Sequence, residues 1–354
     1  MRLIDRYIAV TVAVSTITVM GVLLALMTFA GLINEMDRVG SGDYGLTQAV
    51  EYVLLTLPRT AYDLFPTATL LGSLLGLGMM ANSKELVIIR ASGVSLARLV
   101  WSVMKVGLLL MFVAILLGEY VAPAGEKIAQ GIRAKALTNE VTLNTKTGLW
   151  VRDNQNFINI RAVLLDGNVS GVTIYEFDNK RDLRATISAR TAAYENGQWI
   201  LHGVSRERIG RDGVMTVHED QVKWKSLFNP ELFDVVSVAP EDLSTSGLYH
   251  YINYLHDNGL NARRYELAYR QKLMLPLTTG VMLLISIPFV MGPLRLASMG
   301  QRILVGILLG MGFRLVDEAV GQSALVYQLN LAVFTVLPTM LFFAAAMYLI
   351  YRAR

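Results

Sequence analysis

Long apolar segments lie near both ends of the 354-residue chain, and a more polar region separates them. A membrane-spanning helix needs roughly 20 mostly apolar residues. Segments that meet this need lie at Tyr7–Ile33, Leu64–Ala81, Leu99–Ala122, 271–292, 302–322 and 329–351. The pattern predicts an α-helical membrane protein with six transmembrane helices, three on each side of the polar region. The prolines around the start of the second segment predict an interfacial turn before Pro66.

The polar region contains short runs rich in Val, Ile, Tyr, Trp and Thr, which are typical of β-strands. The runs predict strands at Trp150–Asp153, Phe157–Leu165, Val169–Asp178, Leu183–Ala189, Trp199–Val204 and Val214–Lys225. Asp166-Gly167, Asn196-Gly197 and Asp212-Gly213 separate them as hairpin turns. Short strands at this spacing favour a sandwich or a jelly roll. Residues 126–137 are expected to extend the third span as a helix.

The composition supports a membrane protein and excludes several kinds of chemistry. Only 17% of residues are charged, whereas about 25% is usual for soluble proteins. The chain has no cysteine, so disulfides and cysteine-ligated metals are excluded. It contains no Walker A loop, no H-E-x-x-H and no G-x-S-x-G motif. We therefore expect no ATP site, cofactor or metal in this chain, and the absence of a basic stripe with interleaved aromatics argues against nucleic acid.

The charges of the short loops predict the orientation, because Lys and Arg concentrate on the cytoplasmic side. Basic residues dominate the two tails, the 82–98 loop and the 293–302 loop, whereas residues 34–51 are mainly acidic. This pattern places both termini in the cytoplasm and residues 123–264 outside. The expected domains are 1–122 with a short cytoplasmic helix at 82–93, then 123–264 as an all-β jellyroll-like insertion, then 265–354.

The cytoplasmic segment at 82–93 predicts a short amphipathic helix. Ser83 suits an N-cap, and an acidic residue in the first turn favours a helix. Gly93 ends the helix, and Ser95 can cap the next one. One interpretation is an interfacial helix that only turns the chain. The other is a peg that docks into a cytosolic ATPase, with Leu86 and Ile89 as apolar anchors and Glu85 and Arg90 as the charged rim. Ser83 and Lys84 at the start of the segment belong to the same predicted contact.

Several motifs occur in an order that resembles one known family. They are Asp5–Tyr7, Ser83–Val87, Ala91–Gly93, Gly118–Pro123, Ser246–Leu248 and Gly292–Arg295. In this order and spacing they are similar to the LptF/LptG (YjgP/YjgQ) permeases of the lipopolysaccharide exporter, over the whole chain. Leu71–Gly78, Gly148–Trp150 and Ile4–Tyr7 bring the chain closer to the LptG branch than to the LptF branch.

The resemblance implies a permease subunit of an ABC transporter in the bacterial inner membrane, with its β domain in the periplasm. Its implied partners are an LptF-like second permease, two LptB-like ATPase subunits that bind the ATP, and LptC-like and LptA-like periplasmic proteins. It would extract lipopolysaccharide from the outer leaflet and pass it to the periplasmic bridge. Glu85 matches the glutamate by which the family contacts its ATPase.

The resemblance also implies a site for the lipid headgroup. Asp37 and Arg133 match family positions at the cavity mouth, whereas Asn34 and Gln130 stand where the family has Lys and Arg. Because lipid A carries phosphates above its acyl chains, a cavity needs basic residues at the headgroup level, and Arg38, Lys127 and Lys135 can supply them. The alternative for these cations is snorkelling to the membrane surface.

Two other functions remain open from the sequence. One is a membrane-anchored structural or modifying component for envelope lipids without ATPase coupling, which would need an acid, a base and a nucleophile together in the β domain. The other is a secondary transporter, which would need inverted repeats or charges in mid-span.

Overall fold

The computed structural model describes residues 3–138, 149–153, 155–163, 168–178, 182–195, 198–210, 213–224, 239–292 and 297–352. The chain divides into two compact units. The first, here called the helical unit, comprises Met1–Asn34, Val53–Glu126 and Arg263–Arg354. The second, here called the sheet unit, comprises Glu35–Tyr52 and Lys127–Ala262.

Nine α-helices occur in the described part of the chain. They are α1 Leu3–Met36, α2 Leu46–Asn82, α3 Glu85–Ala91, α4 Leu96–Leu116, α5 Ala122–Thr138, α6 Thr245–Asp257, α7 Arg263–Met291, α8 Met299–Val326 and α9 Leu331–Arg352. A π-helical turn at Leu117–Val121 joins α4 to α5, and Pro240–Asp242 forms a 3₁₀ turn. The predicted helical extension of the third span is thus confirmed.

Among the described residues, five helical stretches are long and apolar enough to cross a membrane: α1, α2, Leu96–Leu137, α7 and α9. The fifth predicted span, 302–322, is a helix within α8, but α8 is not among these five. It carries the charges of Arg302, Arg314, Asp317 and Glu318. The chain is therefore a mostly helical multi-pass membrane protein with an inserted sheet.

The second span differs from the sequence prediction. Helix α2 is continuous over 37 residues and contains both Pro58 and Pro66, so the predicted interfacial turn before Pro66 is wrong. Each proline removes one backbone donor, which a helix tolerates where neighbouring helices surround it. The hydrophobic window of α2 is 83% buried, so those neighbours are present.

One large apolar core packs helices of the helical unit together. It includes Ile8 and Val12 of α1, Leu70 and Leu74 of α2, and Leu283 of α7, all at most 1% exposed. Small residues let α1 and α2 approach closely, since a Cβ at Gly72 would collide with the backbone of Thr16.

The sheet unit contains one antiparallel sheet of six strands in the order β1-β2-β3-β4-β5-β6. The strands are β1 Leu149–Asp153, β2 Asn156–Val163, β3 Val169–Phe177, β4 Leu183–Glu195, β5 Gln198–Gly210 and β6 Gly213–Trp224. All six predicted strands are confirmed, and β4 and β5 are longer than predicted. The described strands form a meander, without the crossover connections of a jelly roll. Residues 166–167, 196–197 and 212 of the predicted turns lie outside the described residues.

One interruption runs across the middle of this sheet. In a regular strand, residues two apart share a face. Three neighbouring strands instead bury residues three apart, which are Val169 and Val172, Ala189 and Ala192, and Leu201 and Val204. Gly171 and Gly203 lie inside the interruptions with φ of 63° and 62°, a conformation that glycine adopts without steric cost. The shared interruption reverses the alternation of faces along one line across the sheet.

Candidate functional site

A buried carboxylate organises the polar end of α1 within the sheet unit. Glu35 is 5% exposed. Its Oε1 accepts a hydrogen bond from Arg38 Nη1 at 2.9 Å, and its Oε2 accepts one from the Tyr44 hydroxyl at 2.9 Å. Arg133 of α5 approaches the same carboxylate, with Nη1 at 3.8 Å from Oε1. Two guanidinium groups therefore meet one carboxylate, and the three side chains together carry a net positive charge.

Tyr52 of α2 holds Arg133 in place. Arg133 Nη1 donates a hydrogen bond to the Tyr52 hydroxyl at 3.0 Å, and Gln130 Nε2 donates to the same oxygen at 3.3 Å. The Arg133 Cζ also lies 5.0 Å from the centroid of the Tyr52 ring, within cation–π range. A guanidinium fixed in this way is prepared for a phosphate, which it can bind through parallel N–H donors.

Tyr44 supports the cluster from the turn between α1 and α2. Its side chain packs with Ala49 of α2 and Ala136 of α5 in a small apolar cluster. Burial, followed by the hydrogen bond to the Glu35 carboxylate, raises the pKa of Tyr44 to about 12. The hydroxyl therefore stays protonated at ordinary pH and remains a donor to Glu35.

The structure brings together only part of the predicted headgroup set. Arg38 and Arg133 converge on Glu35, with side chains 43% and 20% exposed. Asp37, Lys127 and Lys135 are exposed. We call Glu35, Arg38, Tyr44, Tyr52 and Arg133 the arginine cluster. Sequence reasoning missed Glu35 and the two tyrosines, although the three-residue spacing of Glu35 and Arg38 at the end of the first span was a usable signal.

One face of the sheet forms a shallow apolar trough, whose space of about 290 Å³ includes the solvent at its open side. It is lined by Ile158, Ile160, Val169, Val172, Ile174, Ala192, Trp199, Leu201 and Trp224. The lining residues lie on both sides of the interruption at Gly171 and Gly203. They share one face of the sheet because the alternation of side chains reverses at that interruption. A trough with such a lining suits an acyl chain, because burial of apolar surface drives the contact.

The short helix α3 begins and ends close to the predicted bounds, but its cap is different. Lys84 occupies the N-cap position with φ 62° and ψ 6°, and no side chain caps the helix there, so the prediction of Ser83 as N-cap is wrong. The Ser83 hydroxyl turns instead towards Glu85 Oε1 at 2.8 Å and towards the Met79 carbonyl at 3.1 Å. Ser95 caps α4 as predicted, accepting from the amide of Arg98.

The apolar residues of α3 differ in burial. Leu86 is 5% exposed and belongs to the core of the helical unit, and Ile89 packs against that core. Val87 and Ile88 are 44% and 65% exposed. Leu86 thus packs within this chain and Ile89 does so in part, and the anchoring of an ATPase by these two residues stays a prediction. Sequence could not assign the faces because four apolar residues follow one another at 86–89.

The polar residues of α3 remain at the surface. Lys84 and Arg90 are exposed, and Glu85 is half-buried. The Tyr7 hydroxyl of α1 donates a hydrogen bond to Glu85 Oε2 at 2.9 Å. We call residues 83–90 the elbow, which presents two exposed apolar side chains between charges of both signs.

The chain is similar to known proteins over nearly its whole length. The family model for "Lipopolysaccharide export system permease LptF/LptG" matches residues 6–352. The chain is 35% identical over 352 residues to the lipopolysaccharide export system permease protein LptG of Escherichia coli K12, covering 99% of this chain and 98% of that protein. It is 33% identical over 353 residues to LptG of Haemophilus influenzae, covering 99% of both proteins.

Proposed function

Because the chain belongs to the lipopolysaccharide export system permease family LptF/LptG, we propose that it extracts lipopolysaccharide from the outer leaflet of the inner membrane. It passes the lipid to a periplasmic bridge, and a separate ATPase supplies the energy. The observation that carries this proposal is the combination, in the sheet unit, of the arginine cluster with an apolar trough. Phosphates and acyl chains are the two chemical parts of lipid A, and each has a matching surface.

The proposed topology has six spans, with both termini in the cytoplasm and the sheet in the periplasm. Helix α8 is the additional span, because its 28 residues are longer than the roughly 20 that a bilayer requires. Arg302 supports this assignment, since its side chain is 1% exposed and donates to Asn82 Oδ1 at 2.8 Å instead of facing lipid. The excess of Lys and Arg in the short cytoplasmic loops supports the orientation.

The proposed headgroup site uses Arg38 and Arg133 as the phosphate ligands. Charge-assisted hydrogen bonds from arginine to phosphate are about twice as strong as neutral ones. Glu35 holds both guanidinium groups before the lipid arrives, so less conformational entropy is lost on binding. Lys127 and Lys135 are exposed and contribute long-range attraction more than fixed contacts, whereas the exposed carboxylate of Asp37 does not attract a phosphate.

The proposed ATPase contact is the elbow. Val87 and Ile88 enter an apolar groove on an LptB-like subunit, and Lys84, Glu85 and Arg90 form the charged rim. With an LptF-like second permease the chain forms a V-shaped cavity above two such ATPases. Closure of the ATPase pair on ATP moves both elbows, narrows the cavity, and drives the lipid towards the trough and on to LptC-like and LptA-like proteins.

The test is co-purification of the complex with matched variants. Val87→Ser combined with Ile88→Ser is expected to reduce bound ATPase strongly, because both exposed anchors lose apolar area. Glu85→Ala is expected to do the same through the lost rim charge, and Glu51→Ala, at an exposed position of α2, serves as the acidic control. Full ATPase association together with normal lipid release in both elbow variants would refute the proposed contact.

A further inference from the structure

The Asp-Arg-Tyr motif at positions 5–7 has no role in the site described above, but the structure gives both of its outer residues partners in the helical unit. Asp5 is 7% exposed, and its Oδ1 accepts a hydrogen bond from Ser102 Oγ at 2.6 Å. Lys105 Nζ lies 3.4 Å from Asp5 Oδ2. Ser102 and Lys105 lie in the second and third turns of α4, so Asp5 fastens the start of α1 to the helix that follows the elbow.

Tyr7 fastens the same turn of α1 to the elbow itself. Its hydroxyl donates to Glu85 Oε2, while the Ser83 hydroxyl is 2.8 Å from Oε1, so both oxygens of this carboxylate have a polar neighbour from the chain. The Tyr7 side chain is 51% exposed, and its ring is not part of the buried core. The hydroxyl is therefore the group through which Tyr7 acts on α3.

Apolar packing also joins α1 to α3 and α4. Ile8 of α1, Leu86 of α3, and Leu96 and Leu99 of α4 belong to one buried cluster. Interiors packed in this way transmit displacement, since they compress little. The first turns of α1, the buried side of α3 and the first turn of α4 thus share apolar contacts, and polar contacts join α1 to both α3 and α4.

We propose that Asp5 and Tyr7 are positioning residues that make the start of α1 part of the docking elbow, so that displacement of α3 passes directly to the first span. This inference rests on the proposed docking of an ATPase at the elbow. Movement of α3 would reach α2 and α4 through the backbone that joins them. Through the Tyr7–Glu85 hydrogen bond it would also reach α1. Glu85 then has two functions, as a rim charge for the ATPase and as the acceptor for Tyr7.

The kinetic test is Tyr7→Phe in the full transporter, with Tyr351→Phe, 77% exposed near the end of α9, as the matched control. Tyr7→Phe should leave ATPase co-purification and basal hydrolysis unchanged, because Glu85 is still present. Lipopolysaccharide release per ATP should fall roughly threefold to tenfold, the range of a lost hydrogen bond to a charged group with partial exposure. In a Glu85→Ala background, which lacks the acceptor for the Tyr7 hydroxyl, Tyr7→Phe should reduce release per ATP much less than it does alone. Unchanged release, or fully additive effects, would overturn the proposal.

The structural test does not need transport and therefore separates this inference from the proposed function. The chain has no cysteine, so spin labels can be placed on Leu3→Cys and Ala91→Cys without background. In the permease without ATPase, the label distance should have one narrow distribution, and Tyr7→Phe should broaden it. Identical distance distributions in the wild type and Tyr7→Phe would contradict the positioning role of Tyr7, even if ATPase docking at the elbow were established. A loss of ATPase binding in Tyr7→Phe would also contradict it, since Tyr7 would then belong to the docking surface.

Discussion

Arg133 lies against Tyr52, with Nη1 donating to the tyrosine hydroxyl at 3.0 Å and Cζ at 5.0 Å from the ring centroid. This contact fixes an arginine that also faces the buried carboxylate of Glu35. A cation held by an aromatic ring and a carboxylate loses little entropy when it binds an anion. The arginine cluster is accordingly the part of the chain from which the most specific lipid contacts are expected.

Arg133→Ala should weaken binding of lipopolysaccharide by about tenfold or more, the value of one charge-assisted hydrogen bond. Lys135→Ala, two residues away on α5 and exposed, is the matched control and should change binding much less, because exposed charges contribute little. The measurement is the dissociation constant of labelled lipopolysaccharide for the purified transporter at fixed salt. Equal losses in the two variants would show that only general charge matters.

Tyr44→Phe should destabilise the sheet unit by about 1–3 kcal/mol, because a buried carboxylate loses a donor. The folded pKa of Tyr44 is raised from its ordinary value near 10 to about 12. The stabilisation is therefore complete below about pH 10 and is lost as the pH rises through 12. Thermal unfolding of the wild type at pH 9 to 12 should show this decline, and Tyr44→Phe should have a smaller one. If the melting temperatures of the wild type and Tyr44→Phe declined in parallel with pH, ionisation of Tyr44 would not contribute to the loss of stability.

Ala192→Leu should block the trough without unfolding the sheet. Ala192 lines the trough, and a larger apolar side chain there would extend into it. Lipid passage should fall several-fold while the melting temperature changes little. The control is Ala193→Leu, at the next position of β4 and half-buried; it should leave passage unchanged. If both variants transport normally, the trough is not on the route of the acyl chain.

Gly203→Ala should cost about 1–2 kcal/mol in unfolding free energy, because the left-handed conformation at φ 62° disfavours a Cβ. Gly171→Ala should behave alike, since its φ is 63° and a Cβ would also meet the Arg161 side chain. Gly131→Ala, in the open face of α5, is expected to be neutral or stabilising by up to about 1 kcal/mol. Differential scanning calorimetry distinguishes these outcomes. If Gly203→Ala left the unfolding free energy unchanged, the left-handed conformation would not be what requires glycine at this position.

The sequence predicted the elements well where periodicity and turn chemistry agree. All six strands were found because runs of β-branched and aromatic residues are separated by short polar segments, some of them containing glycine. The second span was mistaken near Pro58 and Pro66, because local propensity takes no account of the helices that surround α2. The reversal of faces at Gly171 and Gly203 was also missed, since one residue per strand changes the side-chain direction without changing the composition.

The candidate site was predicted only in part for a different reason. Arg38 and Arg133 were found from charge and from the family resemblance, but Glu35 and Tyr52 come from α1 and α2, and only folding brings them to α5. At the elbow, the run of apolar residues at 86–89 left the exposed side undetermined, and the core of the helical unit decided it. Contacts between elements distant in sequence were the common omission.

The most direct measurement places a photoreactive phenylalanine analogue at Trp199, which lines the trough and has a ring of similar size. The full transporter in proteoliposomes is loaded with lipopolysaccharide and irradiated with and without ATP, and a probe at Leu341, exposed on α9, reports lipid background. The account predicts crosslinks at position 199 that require ATP and decrease strongly in Glu85→Ala. Crosslinks at 199 that are independent of ATP, or no stronger than those at 341, would contradict it.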